Sequence, residues 1–116
     1  METPAEFQVD TRSEGGALIV APKGEIDMAT ANRVAEALAG AGPEQRVIVL
    51  DLREVTFLDT SGVRLVVAEQ RRAQEGSHRF AVVRGPAGVQ RIFSISGLDG
   101  EPGLMVDDPA DALDGS

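Results

Sequence analysis

Hydrophobic and polar positions change period several times along the 116-residue chain. Phe7 and Val9 alternate with Gln8 and Asp10, the two-residue period of a half-buried strand, and "ALIVAP" after Glu14-Gly15-Gly16 predicts its hairpin partner. From Asp27 the period lengthens. Ala31, Val34, Ala35 and Leu38 recur at helical spacing, with Asp27 or Thr30 as the cap and Gly40 to Pro43 as the stop. Val47-Ile48-Val49-Leu50 does not alternate, which predicts a central strand covered on both faces. After Asp59-Thr60-Ser61-Gly62, the positions Val63, Val66, Val67 and Gln70 return to helical spacing, Leu65 and Ala68 widen the apolar stripe, and the helix ends near Gly76. "RFAVV" then predicts a strand, "PAGVQRIFSISGL" a helix opened by Pro86 and closed by Gly97, and Leu104 to Val106 a short edge strand.

Strand, helix and strand with crossovers of this length imply right-handed parallel units. The expected fold class is α/β: a small mixed sheet with an antiparallel first hairpin and helices packed against it. In open sheets of this kind, functional residues gather beyond the carboxyl ends of the parallel strands. That places the loops Gly24 to Ala29 and Asp59 to Gly62 on one rim, with Asp27, Asp59, Thr60 and Ser61 as neighbours.

Length and composition narrow the picture. Residues 1–116 are expected to form one domain with a core over about 5–106 and a short acidic tail, 107–116, in which Pro109 begins a surface helix. With four Phe and no Trp or Tyr, the core must be aliphatic. A net charge of −8 argues against nucleic acid and against an anionic membrane surface, and favours a protein partner with a basic patch. Without cysteine there is no disulfide, thiolate metal site or thiol nucleophile. "METPAEFQVD" lacks the basic and apolar regions of a signal peptide, and no run approaches the length of a membrane span, so a soluble cytoplasmic protein is expected.

Candidate chemistry is sparse. No G-x-S-x-G elbow, G-x-x-x-x-G-K loop, histidine pair or dinucleotide fingerprint is present, so neither an enzyme nor a cofactor or metal site is expected. Asp51 ends the central strand, but a phospho-aspartate receiver needs a late lysine, and the one lysine is Lys23. His78 reads as a surface-loop residue and Arg71-Arg72 as a solvated helix face. What stands out is Asp59-Thr60-Ser61-Gly62, because a turn into a helix needs one capping side chain and three candidates stand in a row. Capping is the plain reading of Ser61, and Asp27 reads either as a cap or as a partner contact. Gly62 would let another backbone come close, and Arg64, one turn after Ser61, is a candidate partner contact.

"GEID" at 24–27, "VIVLDLREVTFLDTSGVRLVV" at 47–67 and "VQRIFSISGL" at 89–98 resemble the signature segments of the STAS domain, specifically the bacterial anti-sigma factor antagonists. The resemblance spans nearly the whole chain, and Asp-[Ser/Thr]-Ser-Gly before an aliphatic helix is its most specific part. It implies a STAS-type domain whose unphosphorylated form binds an anti-sigma factor that is also a serine kinase, thereby releasing a sigma factor. By position it implies Ser61 as phosphoacceptor, Asp59 as the adjoining carboxylate, Thr60 as the flanking hydroxyl, Asp27 as an acid on the same rim, and a serine phosphatase that reverses the modification. Thr60 stands where many relatives have serine. The alternative is a STAS-fold ligand sensor or scaffold subunit of a signalling assembly without a phosphorylation cycle.

Overall fold

Gly15 and Gly16 close the first hairpin with φ values of 57° and 80°, the positive pair that lets a two-residue loop match the twist of its strands. The computed structural model describes residues 7–76 and 78–113. Strand β1 (Gln8–Glu14) leads through this turn into β2 (Ala17–Ile26), then α1 (Ala31–Leu38), β3 (Val47–Asp51), β4 (Val55–Leu58) and α2 (Thr60–Glu75). Strand β5 (Arg79–Val83), α3 (Ala87–Ser96), a 3-10 turn (Leu98–Gly100), β6 (Met105–Val106) and α4 (Pro109–Leu113) follow.

The sheet order is β1-β2-β3-β5-β6, antiparallel between β1 and β2 and parallel elsewhere. This is the mixed α/β sheet with an antiparallel opening that the periodicity predicts. It contains a strand that the periodicity does not. The ten-residue β2 pairs with β3 over Ala17–Val20 and then, past an irregularity at Gly24/Glu25, with β4 over Gly24–Ile26. Strands β3 and β4 therefore follow one another along the same edge of β2, and the apolar Val55 and Leu58 close the upper part of the core.

Alternation along the strands sorts two faces. Leu18, Val20, Ile48, Leu50, Phe80 and Val82 form one cluster with Val34 and Leu38 of α1, Leu65 and Val66 of α2, and Val89 and Phe93 of α3. Ile19, Val49, Ala81 and Val83 form a second cluster on the other face, with Ala112 of α4. The acidic segment read as a tail thus carries a helix that buries Pro109 and Ala112. Each fully buried Val, Leu or Ile contributes about 1.5–3 kcal/mol, so the first cluster dominates stability.

The apolar stripe of α2 differs in phase from the sequence reading. Gly62, Leu65, Val66 and Glu69 face inward, while Val67 and Ala68 are exposed. Ala35 on α1 is exposed as well. Glu69 holds a core-facing position because its charge is met there: Arg72 Nε and Nη2 each donate at 3.0 Å, and His78 Nε2 lies 3.2 Å away. Arg72 also reaches the Leu38 carbonyl, and the bond to Glu69 raises its pKa. Arg71 and Arg72 are exposed, as a solvated helix face requires, but Arg72 also links α2 to the end of α1, and His78, half-buried against Glu69, is part of the same polar junction rather than a free surface-loop residue.

Candidate functional site

Two loops meet because two strands are in register. Ile26 pairs with Leu58, so the next residues of each strand, Asp27 and Asp59, leave the sheet side by side, and Asp59 N–H donates to the Ile26 carbonyl at 3.2 Å. The rim expected from strand order is formed by the β2–β4 pair, which strand periodicity did not predict.

Asp27 is the start signal of the first helical segment. Its Oδ1 accepts from the N–H groups of Ala29 (2.9 Å) and Thr30 (3.2 Å), while its own N–H donates to Thr30 Oγ1 at 3.0 Å. This reciprocal pair is a capping box with threonine in the place of the usual Glu or Gln. Thr30 Oγ1 in turn donates to the Glu25 carbonyl at 2.7 Å, which ties the loop to the end of β2. Both candidates named for the cap thus take part in the turn that leads into α1, whose own N-cap position, Thr30, makes no side-chain cap hydrogen bond.

Asp59 caps α2: its backbone is extended, and its Oδ1 accepts from Ser61 N–H at 2.8 Å. That one carboxylate accounts for the capping task. Thr60 and Ser61 become the first two residues of the helix, Thr60 exposed and Ser61 half-buried, and among the described residues neither hydroxyl has a hydrogen-bond partner. Arg64 is exposed, one turn further along the face of Ser61, and has no ion pair among the described residues.

Gly62 has a different role from the one expected of it. It is buried, and a Cβ there would lie 2.4 Å from Leu58 Cγ and 2.7 and 2.8 Å from its two methyls. The open side of the glycine is filled by Leu58 of the same chain, which seats the start of α2 directly on β4. No room is left for a partner backbone.

The structure adds residues to the rim. Glu25 pairs in register with Phe57, and both are exposed. Phe57 is 50% exposed and Met28, beside Asp27, 81%, so two large apolar side chains flank the two acids. Phe57 was not legible as a surface residue because its orientation depends on the phase of β4. A concavity of about 260 Å³ is lined by Ala21, Pro22, Asp51, Arg53 and Glu54, and another of about 200 Å³ by Ala35, Ala39, Leu65, Ala68, Glu69 and Arg72; neither takes in Asp27 or Ser61. Asp51 is buried and held by Arg53 through both oxygens, at 3.0 and 2.8 Å, and this bond raises the pKa of Arg53. Among the described residues no three His, Asp or Glu side chains are grouped to hold a metal ion, and no helix is long and apolar enough to cross a membrane.

A family model described as "Mlab, STAS domain" matches residues 9–107. The chain belongs to the STAS domain family. The anti-sigma-F factor antagonist RsfB of Mycobacterium tuberculosis is 28% identical over 100 residues, covering 85% of this chain and 81% of that protein. The crystal structure of an anti-sigma factor antagonist from Mycobacterium paratuberculosis superposes with a TM-score of 0.81 at 26% identity, over 97% of this STAS chain and 96% of the other. The anti-sigma factor antagonist SpoIIAA shares the fold in its unphosphorylated form, with a TM-score of 0.70 at 22% identity over 94% of each chain. The phosphorylated form of SpoIIAA, from Bacillus, gives 0.68 at 22% identity over 94% of this chain and 97% of that one. Both of these forms of SpoIIAA share the fold described above.

Proposed function

We propose that this STAS domain is an anti-sigma factor antagonist. Its unmodified form binds an anti-sigma factor that is also a serine kinase, so that a sigma factor is released, and phosphorylation of Ser61 ends that binding until a serine phosphatase removes the phosphate. The observation that carries the reading is the division of labour at the start of α2: Asp59 caps the helix, which leaves the Ser61 hydroxyl on the rim without a hydrogen-bond partner among the described residues. The names of the relatives at 28% and 26% identity support an anti-sigma factor as the partner.

The chemistry of the rim suits a switch read by a partner. A phosphate at the second helical residue sits at the positive end of the helix macrodipole, so the domain tolerates it. The surface does not stay neutral: about −1.5 to −2 charge joins Glu25, Asp27 and Asp59, with Arg64 as the nearby cation in sequence. An interface that packs Ser61 against a partner then suffers desolvation and repulsion, on the order of a hundredfold or more in affinity. Asp27, Asp59, Thr60 and Arg64 are assigned to the partner surface around Ser61. A cytoplasmic site of action follows from such partners.

The test is to incubate the protein with its cognate kinase and ATP and to locate phosphate by mass spectrometry. One phosphate on Ser61, lost in Ser61→Ala, is expected. Phosphate on Thr60, Ser94 or Ser96 would refute the assignment. A protein that neither binds nor is modified by any ATP-binding anti-sigma factor would return the chain to the sensor or scaffold reading.

A further inference from the structure

The second face of the sheet is not used by the proposed switch. Ile19, Val49, Ala81 and Val83 lie there, each no more than 2% exposed. Three helices of 8, 16 and 10 residues cover the opposite face, whereas the helix on this one, α4, has five. A helix of that length is not stable by itself, so its place depends on what holds it. Its apolar anchors are Pro109 and Ala112. Its polar anchors are two ion pairs at its entry, Arg84 Nη1 with Asp107 Oδ1 at 2.9 Å and Arg53 Nη1 with Asp108 Oδ2 at 3.9 Å. The four side chains are 37 to 80% exposed, so both pairs are weak and screened by salt.

We propose that Asp107–Leu113 is a detachable strap: it lifts while the sheet and helices α1 to α3 stay folded, and lifting uncovers the apolar face of Ile19, Val49, Ala81 and Val83. Opening breaks two exposed ion pairs and one short helix and exposes little beyond the strap's own anchors and that face. It leaves intact the β-ladders and the larger cluster, where most apolar burial lies. Arg53 does not depend on the strap, because Asp51 holds it independently, so the receiving side is preformed. The device is independent of phosphorylation at Ser61.

The absence of cysteine makes a clean test possible, since each variant carries one thiol. Ala112→Cys reports on the strap, Val83→Cys on the face beneath it, and Val66→Cys in α2 on global unfolding; all three positions are fully buried. Labelling with an aromatic disulfide reagent in native buffer is expected to be at least about tenfold faster at the first two positions than at Val66→Cys, with a shallower dependence on urea. Adding Arg84→Ala, or raising salt from about 0.05 M to about 1 M, is expected to speed both by about twofold to fivefold. Equal rates and equal urea slopes at all three positions would show that α4 opens only with the whole domain, and would overturn the proposal. Fast labelling at Ala112→Cys with slow labelling at Val83→Cys would also overturn it, because the helix would then fray without uncovering the face. If Ala112→Cys does not fold, Val83→Cys against Val66→Cys decides.

Discussion

Replacing Gly62 with alanine should destabilise the domain, although helix propensity argues for the opposite sign. Gly→Ala inside a helix gains about 1 kcal/mol from propensity. Against this, the added methyl would meet Leu58 Cγ at 2.4 Å and its methyls at 2.7 and 2.8 Å, well inside contact distance. Leu58 is 3% exposed and packed in the main cluster, so it has nowhere to withdraw. Overpacking of this kind typically costs about 1–3 kcal/mol and at such distances falls at the upper end. The net expectation is a loss of about 1–2 kcal/mol, a fall in Tm of about 4–8 °C for a domain of this size. Urea unfolding followed by circular dichroism measures it, and a double-mutant cycle with Leu58→Ala isolates the cause. Leu58→Ala alone should cost about 2–5 kcal/mol. In its presence the Gly62→Ala methyl enters vacated space, so the double variant should be more stable than the sum of the singles by about 1–3 kcal/mol. Gly62→Ala that is neutral or stabilising, with additive behaviour in the cycle, would refute the packing role and reopen Gly62 as a partner contact.

Asp27→Asn keeps the Oδ1 that accepts from Ala29 and Thr30, so Tm should hardly move while kinase binding or phosphorylation weakens; Asp27→Ala should lose about 1 kcal/mol as well. A drop in stability with intact binding for Asp27→Asn would make the residue a cap and nothing more. Phosphorylated protein should show an unchanged circular-dichroism spectrum and backbone shifts confined to about residues 24–30 and 57–66, with affinity for the kinase reduced about a hundredfold or more. Binding that survives phosphorylation, or rearrangement of the whole sheet, would contradict the local electrostatic mechanism. Glu69→Ala removes the acceptor that Arg72 and His78 share and leaves a gap at a buried position, for an expected loss of about 1–3 kcal/mol by urea unfolding, whereas Glu69→Leu should recover part of it by refilling the volume. Equal losses for the two would show that packing plays no part at this position.

The strands and helices that bury a single regular stripe were legible in the sequence, because burial on one face or two imprints the period directly. The unalternating Val47–Leu50 and the hairpin around Gly15 and Gly16 belong to this class, whereas for the helix ending at Gly76 the extent was legible but not the face it buries, since Val67 and Ala68 are exposed. The Asp59-Thr60-Ser61-Gly62 element was legible for a related reason, since helix-start chemistry is local. Beyond that reach, pairing between distant segments decided the outcome. Val55–Leu58 became a strand because β2 is long enough to pair with two strands in succession, and nothing within four residues announces that partner. The inward places of Gly62 and Glu69 were set by what stood opposite them: Leu58 filled the space a side chain would take, and Arg72 with His78 met a charge that hydropathy assigns to solvent. The acidic end, polar by composition, became the cover of a sheet face because that face is apolar and Arg53 and Arg84 stand where Asp108 and Asp107 arrive. Local sequence carries the period and the caps, whereas register, and with it the meeting of Asp27 with Asp59, exists only once long-range pairing has brought the strands together.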